Sequence, residues 1–183
     1  MLAEWRGKPL VRHVAEAALA SAAGPVIVVT GAHRTSIVEA LGALPVCLTN
    51  NPRFSEGLST SLQKGFEALP SATAGAVVLL GDMPTVSAGL IDSIVAAWRH
   101  HAEPAALVPT HDGRRGNPVL LSRRLEGEIA MLTGDAGAGS ILRGRGDVVE
   151  WEAVDRAVLH DIDTPEALAQ LSVPSTTPPR MAE

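Results

Sequence analysis

The chain of 183 residues contains no tyrosine, only 3% aromatic residues and a single cysteine, Cys47. One cysteine excludes an intrachain disulfide and favours a reducing compartment. No apolar run approaches the roughly 18 residues of a membrane span. Residues 1–6 also lack the basic flank and apolar stretch of a signal peptide. We therefore expect a cytoplasmic protein that does not associate with a membrane.

Positive charge is scarce as well: 15 Lys and Arg stand against 20 Asp and Glu, a formal net charge of −5. This balance argues against a general nucleic-acid binder, because neither DNA nor RNA attracts an acidic surface. The sequence also contains no G-x-G-x-x-G after a strand, no G-x-S-x-G and no His/Cys zinc spacing. A dinucleotide oxidoreductase, a serine hydrolase and a zinc protein are thereby disfavoured.

Aliphatic residues are abundant, and apolar stretches of strand and helix type alternate along the chain. Strands are predicted at residues 26–30, 45–49, 76–80, 105–109, 118–121 and 148–154. Helices are predicted at residues 8–23, 33–41, 59–69, 88–101, 122–132 and 164–171. This alternation predicts one α/β domain over residues 1–171, a three-layer sandwich with a mainly parallel sheet. The Pro-, Ser- and Thr-rich residues 172–183 are expected to be a disordered tail.

Asp82 directly follows the clearest apolar strand, in the sequence Gly-Asp-Met-Pro. Ligands of open α/β sheets bind beyond the carboxyl ends of the strands, and Mg²⁺ takes one or two carboxylates plus substrate phosphates. Asp82 is therefore a candidate Mg²⁺ ligand. The alternative is an ordinary turn, in which Asp and Pro are common.

A second acidic motif, Asp161-Ile162-Asp163, precedes the last predicted helix. Alternation along an extended segment places Asp161 and Asp163 on the same side. Asp163 is the expected helix cap because it lies next to the helix start, and Asp161 is the expected metal ligand. Both residues are also compatible with plain capping and surface roles.

Two polar segments are candidates for substrate binding. The loop over residues 50–61 leads into a helix, whose hydroxyl and N–H groups can bind a base, a ribose or an anion. In the alternative interpretation, Ser59 only caps that helix. Residues 114–117, Arg-Arg-Gly-Asn, form a candidate anion-binding hairpin, because arginine pairs with phosphate in a bidentate fork. The alternative there is a solvated charge run.

In this order, these segments resemble the MobA-like NTP transferases, which transfer a nucleoside monophosphate to molybdopterin, and most of all the molybdenum cofactor cytidylyltransferase branch. Six blocks carry the resemblance: WRGKPLVRHV (5–14), NPRFSEGLSTSLQKGFEAL (51–69), VVLLGDMP (77–84), PTHDGRRGNPVLLSR (109–123), LHDIDTPEAL (159–168) and, more weakly, LTGDAGAGSIL (132–142). Together they span nearly the whole chain to about residue 171.

The resemblance implies that CMP is transferred from CTP to a molybdopterin-type acceptor and that pyrophosphate leaves. Asp82 and Asp161 would hold Mg²⁺ at the nucleotide phosphates, with Asp163 close by. Three further residues would line the base and ribose pocket: Gly57, Ser59 and Ser61. Three others would face the pterin-side substrate: Arg115, Gly116 and Asn117. A molybdenum hydroxylase is an implied partner.

Two departures from the family pattern matter. The family opens with a strand and a glycine-rich loop, LAAG-x-S-x-R-M-G followed by lysine, ahead of the block at residues 5–14, whereas this sequence begins at Met1-Leu2-Ala3-Glu4. A start assigned downstream of the true one, or a shortened gene, would explain this. We expect little transferase activity without the loop's N–H groups and cations, and unpaired backbone groups beside the lost inner strand.

The second departure is Gly139, which stands where the family has an arginine; Arg143, one helical turn later, is the expected substitute. Two alternatives stay open at this point. One is a transferase of the same fold that acts on another nucleotide or phosphate acceptor. The other is a non-catalytic protein that binds and delivers the molybdenum cofactor.

Overall fold

The computed structural model describes residues 1–162 and 164–171. The strands are β1 Glu4–Trp5, β2 Lys8–Pro9, β3 Ile27–Thr30, β4 Cys47–Asn50, β5 Gly75–Val78, β6 Ala106–His111, β7 Arg114–Arg115, β8 Val119–Ser122 and β9 Val148–Glu152. The α-helices are α1 Leu10–Ala20, α2 Arg34–Leu41, α3 Leu58–Glu67, α4 Ala88–Arg99, α5 Glu126–Ala130, α6 Ala138–Leu142 and α7 Pro165–Leu171. Short 3-10 helices lie at Phe54–Glu56, Arg123–Leu125 and Arg156–Leu159. The expected tail at 172–183 and the residue Asp163 lie outside the described residues.

The largest sheet has β6 at its centre. β8 and β7 pair antiparallel with successive parts of β6, β9 pairs parallel with it, and β5 pairs antiparallel with β8. A separate sheet consists of the parallel strands β3 and β4. The predicted α/β class is confirmed, and the sheet is mixed rather than mainly parallel.

Helices cover both faces of the large sheet. Because neighbouring residues of a strand point to opposite faces, Leu107 of β6 packs in a cluster with Ile94 of α4, and Ala106 packs in another with Phe66 of α3. α1 adds residues to the first cluster, and α5 and α6 add residues to the second. The chain therefore forms the predicted three-layer arrangement, and across the described part of it no helix is long and apolar enough to cross a membrane.

The β3–β4 pair lies under helices that also cover the large sheet. α1 packs with Val28 of β3 in one cluster and with Val77 of β5 in another. Among the described strands, β3 pairs with β4 alone and β5 pairs with β8 alone, so each has an edge without a strand partner. All four residues of β5 are only half-buried, although the sequence predicts a buried strand.

The N-terminal helix is shorter than predicted. Lys8 and Pro9 pair with β1 in a hairpin, and the turn residues Arg6 and Gly7 have φ angles of 51° and 76°. α1 then begins at Leu10, with Pro9 as its N-cap. Proline suits this position because it has no N–H group that the first helical turn would leave unpaired.

Ends of other elements also test the sequence. Ser87 caps α4 as predicted, because its side chain accepts a hydrogen bond from the N–H of Leu90 at 3.2 Å. The prediction that Ser59 caps α3 is wrong: Gly57 is the N-cap, and Ser59 is the second residue of the helix. β5 ends at Val78, two residues earlier than predicted, so the segment that leads to Asp82 is a turn.

Candidate active site

The turn after β5 and the segment before α7 meet through a main-chain hydrogen bond. The N–H of Ile162 donates to the carbonyl oxygen of Asp82 at 2.9 Å. Asp161 directly precedes Ile162, so the two acidic residues are neighbours although they come from distant parts of the sequence. Ile162 is buried in a cluster with Trp5 and Leu10, which fixes this contact. The expected convergence of the two segments is present, and the metal role stays a prediction.

The two aspartates present oxygen ligands in different surroundings. Atom Oδ1 of Asp82 is buried, whereas Asp161 is exposed and lines a cavity. Across residues 1–162 and 164–171, no group of three or more His, Cys, Asp or Glu side chains is placed to hold a metal. A metal here would therefore take its other ligands from phosphate and water, as Mg²⁺ usually does. The donors present fit Mg²⁺ better than zinc, which is usually held by three or four protein ligands.

A cavity of about 180 Å³ opens beside Asp161. Its wall is formed by the β6–β7 hairpin and the segment after it, by the third 3-10 helix and by the turn after β5. The residues besides Asp161 are Met83, Arg114, Arg115, Gly116, Asn117, Val158 and Leu159. The structure thus brings the hairpin residues singled out in the sequence to the same cavity as one predicted metal ligand.

Gly116 and Asn117 hold this hairpin against the 3-10 helix through their main chain. The N–H of Asn117 donates to the carbonyl of Val158, and the N–H of Gly116 donates to that of Pro109, both at 2.8 Å. A Cβ atom at Gly116 would overlap the carbonyl group of Val158. Glycine is therefore required by this close approach, which shapes one wall of the cavity.

Arg115 is bound to a carboxylate of the same sheet. Its Nε donates to Oε1 of Glu150 at 2.7 Å, and its Nη2 lies 2.7 Å from the same oxygen. Two residues further along β9, Glu152 accepts hydrogen bonds from Thr110 Oγ1 at 2.7 Å and from the N–H of Asp112 at 2.9 Å. The hydrogen bond from Thr110 makes the largest contribution to lowering the pKa of Glu152, and the bond from the N–H of Asp112 lowers it further. Because of its bonds to Glu150, the predicted substrate residue Arg115 is already paired with a carboxylate of the protein.

The N-terminus of α3 is closed by a glycine-rich turn from later in the chain. The N–H of Ser59 donates to the carbonyl of Gly134 at 3.1 Å, and the N–H of Leu58 donates to Oδ1 of Asp135 at 3.4 Å. Gly57 has φ 113° and ψ 174°, and a Cβ atom there would overlap the main chain of Gly134. The N–H groups that the sequence offers to an anion are therefore occupied by the protein itself.

Ser59 and Ser61 lie in different surroundings. Ser61 accepts a hydrogen bond from Nδ2 of the buried Asn51 at 3.0 Å, and Asn51 also donates to Thr60 at 2.8 Å. Ser59 is fully buried and lines a second cavity of about 410 Å³ between α3 and α5. The two cavities share no lining residue. The predicted base-side and pterin-side residues therefore do not meet in one cavity of the described structure.

The larger cavity is a poor site for a triphosphate, although its size is typical of small-molecule sites. Three carboxylates line it, Glu56, Glu67 and Glu126, against one cation, Arg53. Arg53 already donates to Gln63 and lies 3.8 Å from Glu56. The three carboxylates repel an anionic ligand. The negative charge of the lining therefore disfavours a triphosphate, although the cavity is large enough for a small molecule.

The sequence did not reveal what several residues contribute. Asn51 organises the loop before α3, and the pair Gly134 and Asp135 caps that helix from more than 70 residues away. An aspartate beside a glycine is a turn and capping signal, but its target is set only by the fold. Arg143, the expected substitute for the arginine absent at Gly139, is the C-cap of α6 and lines neither cavity.

Comparison with known proteins agrees with this fold. The chain is 27% identical to nicotine blue oxidoreductase of Paenarthrobacter nicotinovorans over 176 residues, 93% of this chain and 86% of that protein. It is 27% identical to molybdenum cofactor cytidylyltransferase of Escherichia coli K12 over 121 residues, 66% of this chain and 59% of that protein.

Among solved structures, the chain resembles that of Rv0371C in complex with manganese, from Mycobacterium tuberculosis H37Rv. The TM-score is 0.79 at 22% identity, over 94% of this chain and 91% of that one. The MobA-like NTP transferase domain family matches residues 1–151. The chain therefore belongs to the MobA-like NTP transferase domain family and has a nucleotidyltransferase fold.

Proposed function

We propose that this protein transfers CMP from CTP to the phosphate of a molybdopterin-type acceptor, with release of pyrophosphate and with Asp82 and Asp161 as the Mg²⁺ ligands. The observation that carries the proposal is the hydrogen bond from Ile162 to Asp82, which makes the two acidic segments neighbours. The name of the Escherichia coli relative supports the cytidylyl transfer. The manganese complex of the mycobacterial structure supports a divalent cation.

Positioning and charge neutralisation are what such a phosphoryl-type transfer requires from the protein. Asp82 offers a carboxylate with one buried oxygen in the turn after β5, and Asp161 offers a second carboxylate that lines the smaller cavity. Mg²⁺, when bound, supplies charge neutralisation at phosphate oxygens. The main chain of Gly116 and Asn117 fixes the wall that the acceptor would face.

On the nucleotide side, we retain Gly57, Ser59 and Ser61 as proposed contributors to base and ribose binding, in two different roles. Gly57 and Ser59 act through the main chain, because both pack against Gly134. Ser61 is half-buried, and its hydroxyl can exchange its bond from Asn51 for one to a ligand.

The experiment measures pyrophosphate release with CTP, GTP, ATP and UTP, each with a molybdopterin-type acceptor and Mg²⁺. We expect turnover to be highest with CTP. Preference for another nucleotide would replace the cytidylyl assignment.

Substitution of the aspartates tests the metal role. Asp82→Asn and Asp161→Asn should each lower turnover by about 100-fold or more, since a charge that acts in the transition state is worth about 3 kcal/mol. Asp92→Asn is the matched control, because Asp92 accepts a bond from the N–H of Ala22 and lines neither cavity. Near-normal turnover in Asp82→Asn would reduce that residue to a turn former.

A redox reaction is the second candidate, because the alignment with nicotine blue oxidoreductase extends over 93% of this chain. It predicts that the protein oxidises a reduced nicotinamide cofactor in the presence of a dye acceptor. The absence of a G-x-G-x-x-G loop in the sequence counts against it. Loss of nicotinamide absorbance without pyrophosphate release would favour this candidate over nucleotidyl transfer.

A further inference from the structure

Two adjacent arginines line the smaller cavity, and the strand register separates their side chains. Arg115 pairs with Thr110 and Arg114 pairs with His111 across the β6–β7 hairpin. Residues directly opposite each other share a face of the sheet, and adjacent residues point to opposite faces. Arg115 therefore lies on the face of Thr110, and Arg114 lies on the other face.

The partners on each face confirm this separation. Thr110 donates to Glu152 and Arg115 donates to Glu150, so one face carries a ladder of paired polar groups. Leu107 and Trp151 belong to the opposite face, in the cluster that includes Met83 and Val158. Met83 and Val158 also line the cavity, so the cavity lies on the side to which Arg114 points.

Arg114 is exposed, and it forms no ion pair or side-chain hydrogen bond with any residue of 1–162 or 164–171. The other charged groups near the cavity are Asp161 and Arg115 on its wall, Asp82 next to the lining residue Met83, Asp112 at the tip of the hairpin and Glu150, which is bound to Arg115. His111 lies on the same face as Arg114, and its Nδ1 forms a hydrogen bond of 2.8 Å with the carbonyl oxygen of Ala153. Arg114 is thus the cavity's available guanidinium within the described residues.

We propose that Arg114, and not Arg115, binds the phosphate group of the acceptor, a phosphate monoester that enters the smaller cavity with its phosphate end first. This inference rests on the proposed function for the identity of the acceptor. A guanidinium without a protein partner binds a phosphate in a bidentate fork and gives up no ion pair to do so. Arg115 would first have to leave Glu150.

The size of the cavity agrees with a phosphate end rather than a whole cofactor. A volume of about 180 Å³ equals that of about six water molecules in the liquid. This accommodates a phosphate group with a few further atoms, so the rest of the acceptor would extend into solvent. Asp161 on the same wall repels a phosphate dianion, and a divalent cation held by Asp161 would remove that repulsion.

The test measures binding of inorganic phosphate and of phenyl phosphate by titration calorimetry, without nucleotide, in the presence and absence of Mg²⁺. Arg114→Gln should weaken phosphate binding about ten- to a hundredfold, the effect expected for hydrogen bonds to a charged group. Arg115→Gln is the matched control and should change it less than about threefold. Arg114→Lys should retain part of the affinity, because lysine keeps the charge and loses the fork.

A second measurement uses Asp161→Asn, which should strengthen phosphate binding in the absence of Mg²⁺ and remove the benefit of adding Mg²⁺. Equal losses in Arg114→Gln and Arg115→Gln, or no phosphate binding by the unaltered protein, would overturn the inference. Phosphate binding through Arg114 without pyrophosphate release from any nucleotide would support the inference and refute the proposed transferase.

Discussion

The contact between Gly57 and Gly134 gives a stability prediction whose size follows from the geometry. Gly57 has φ 113° and ψ 174°, a region that is essentially restricted to glycine. In addition, a Cβ atom at this position would overlap the carbonyl group of Gly134. Gly57→Ala should therefore destabilise the protein twice, through backbone strain and through displacement of the turn that caps α3.

The two effects can be given magnitudes. An alanine in this backbone region costs about 1–3 kcal/mol, and loss of the hydrogen bond from Ser59 to Gly134 costs about 1 kcal/mol. The free energy of unfolding should therefore fall by about 2–4 kcal/mol, a large part of the roughly 5–15 kcal/mol of a typical domain. Equilibrium unfolding in urea, followed by circular dichroism, measures this change.

Gly127→Ala is the matched control. Gly127 lies in α5, and a Cβ atom there would meet nothing within 4 Å. Alanine is favoured over glycine in a helix by about 1 kcal/mol, so this variant should be slightly more stable than the unaltered protein. If the free energy of unfolding of Gly57→Ala differs from that of the unaltered protein by less than about 0.5 kcal/mol, the close packing of Gly57 on the glycine-rich turn is refuted.

Two further predictions concern polar side chains that join distant segments. Nε2 of Gln63 donates to the carbonyls of Ile129, Ala130 and Leu132, at 3.3, 3.2 and 2.8 Å. Gln63→Ala should therefore lower the free energy of unfolding, measured in urea, by about 1–3 kcal/mol. An unchanged free energy of unfolding would show that water replaces these bonds without cost. The lowered pKa of Glu152 stabilises the fold above the ordinary glutamate pKa, and this stabilisation is lost as the pH falls through the lowered folded-state pKa. Glu152→Gln should therefore be less stable than the unaltered protein near neutrality and approach it in acid, and a pH-independent difference in the unfolding midpoint would contradict this.

The α/β class followed from the sequence because hydrophobic periodicity reports which residues are buried. Strand direction has no such signal. β8 follows β7 after a short connection and lies antiparallel between β5 and β6, so the predicted parallel sheet became a mixed one. The reduced burial of β5 likewise depends on which strands pair beside it, a long-range property that no local pattern contains.

At the candidate site, the sequence predicted which segments meet. It did not predict which of their polar groups are already bonded within the protein. Asp82 was singled out because it follows an apolar strand, and Asp161 because its motif precedes a predicted helix; the two segments do meet. Ser59 was misjudged because Gly-Leu-Ser-Thr-Ser offers several cap residues, and the groups that cap the helix come from Gly134 and Asp135. The two adjacent arginines were indistinguishable until strand register and Glu150 separated them.

Internal pairing of cations narrows the places where a phosphate can bind. Six of the twelve arginines in the described ranges form ion pairs, with Glu16, Glu56, Glu126, Glu128, Glu150 and Asp147. A guanidinium that is paired with a carboxylate offers an approaching anion less net positive charge than an unpaired one. Arg114 lines the smaller cavity without one, and the carboxylate of Asp161 lies on the same wall. Substrate phosphate and a divalent cation should therefore bind there cooperatively, each removing the repulsion that the other meets alone.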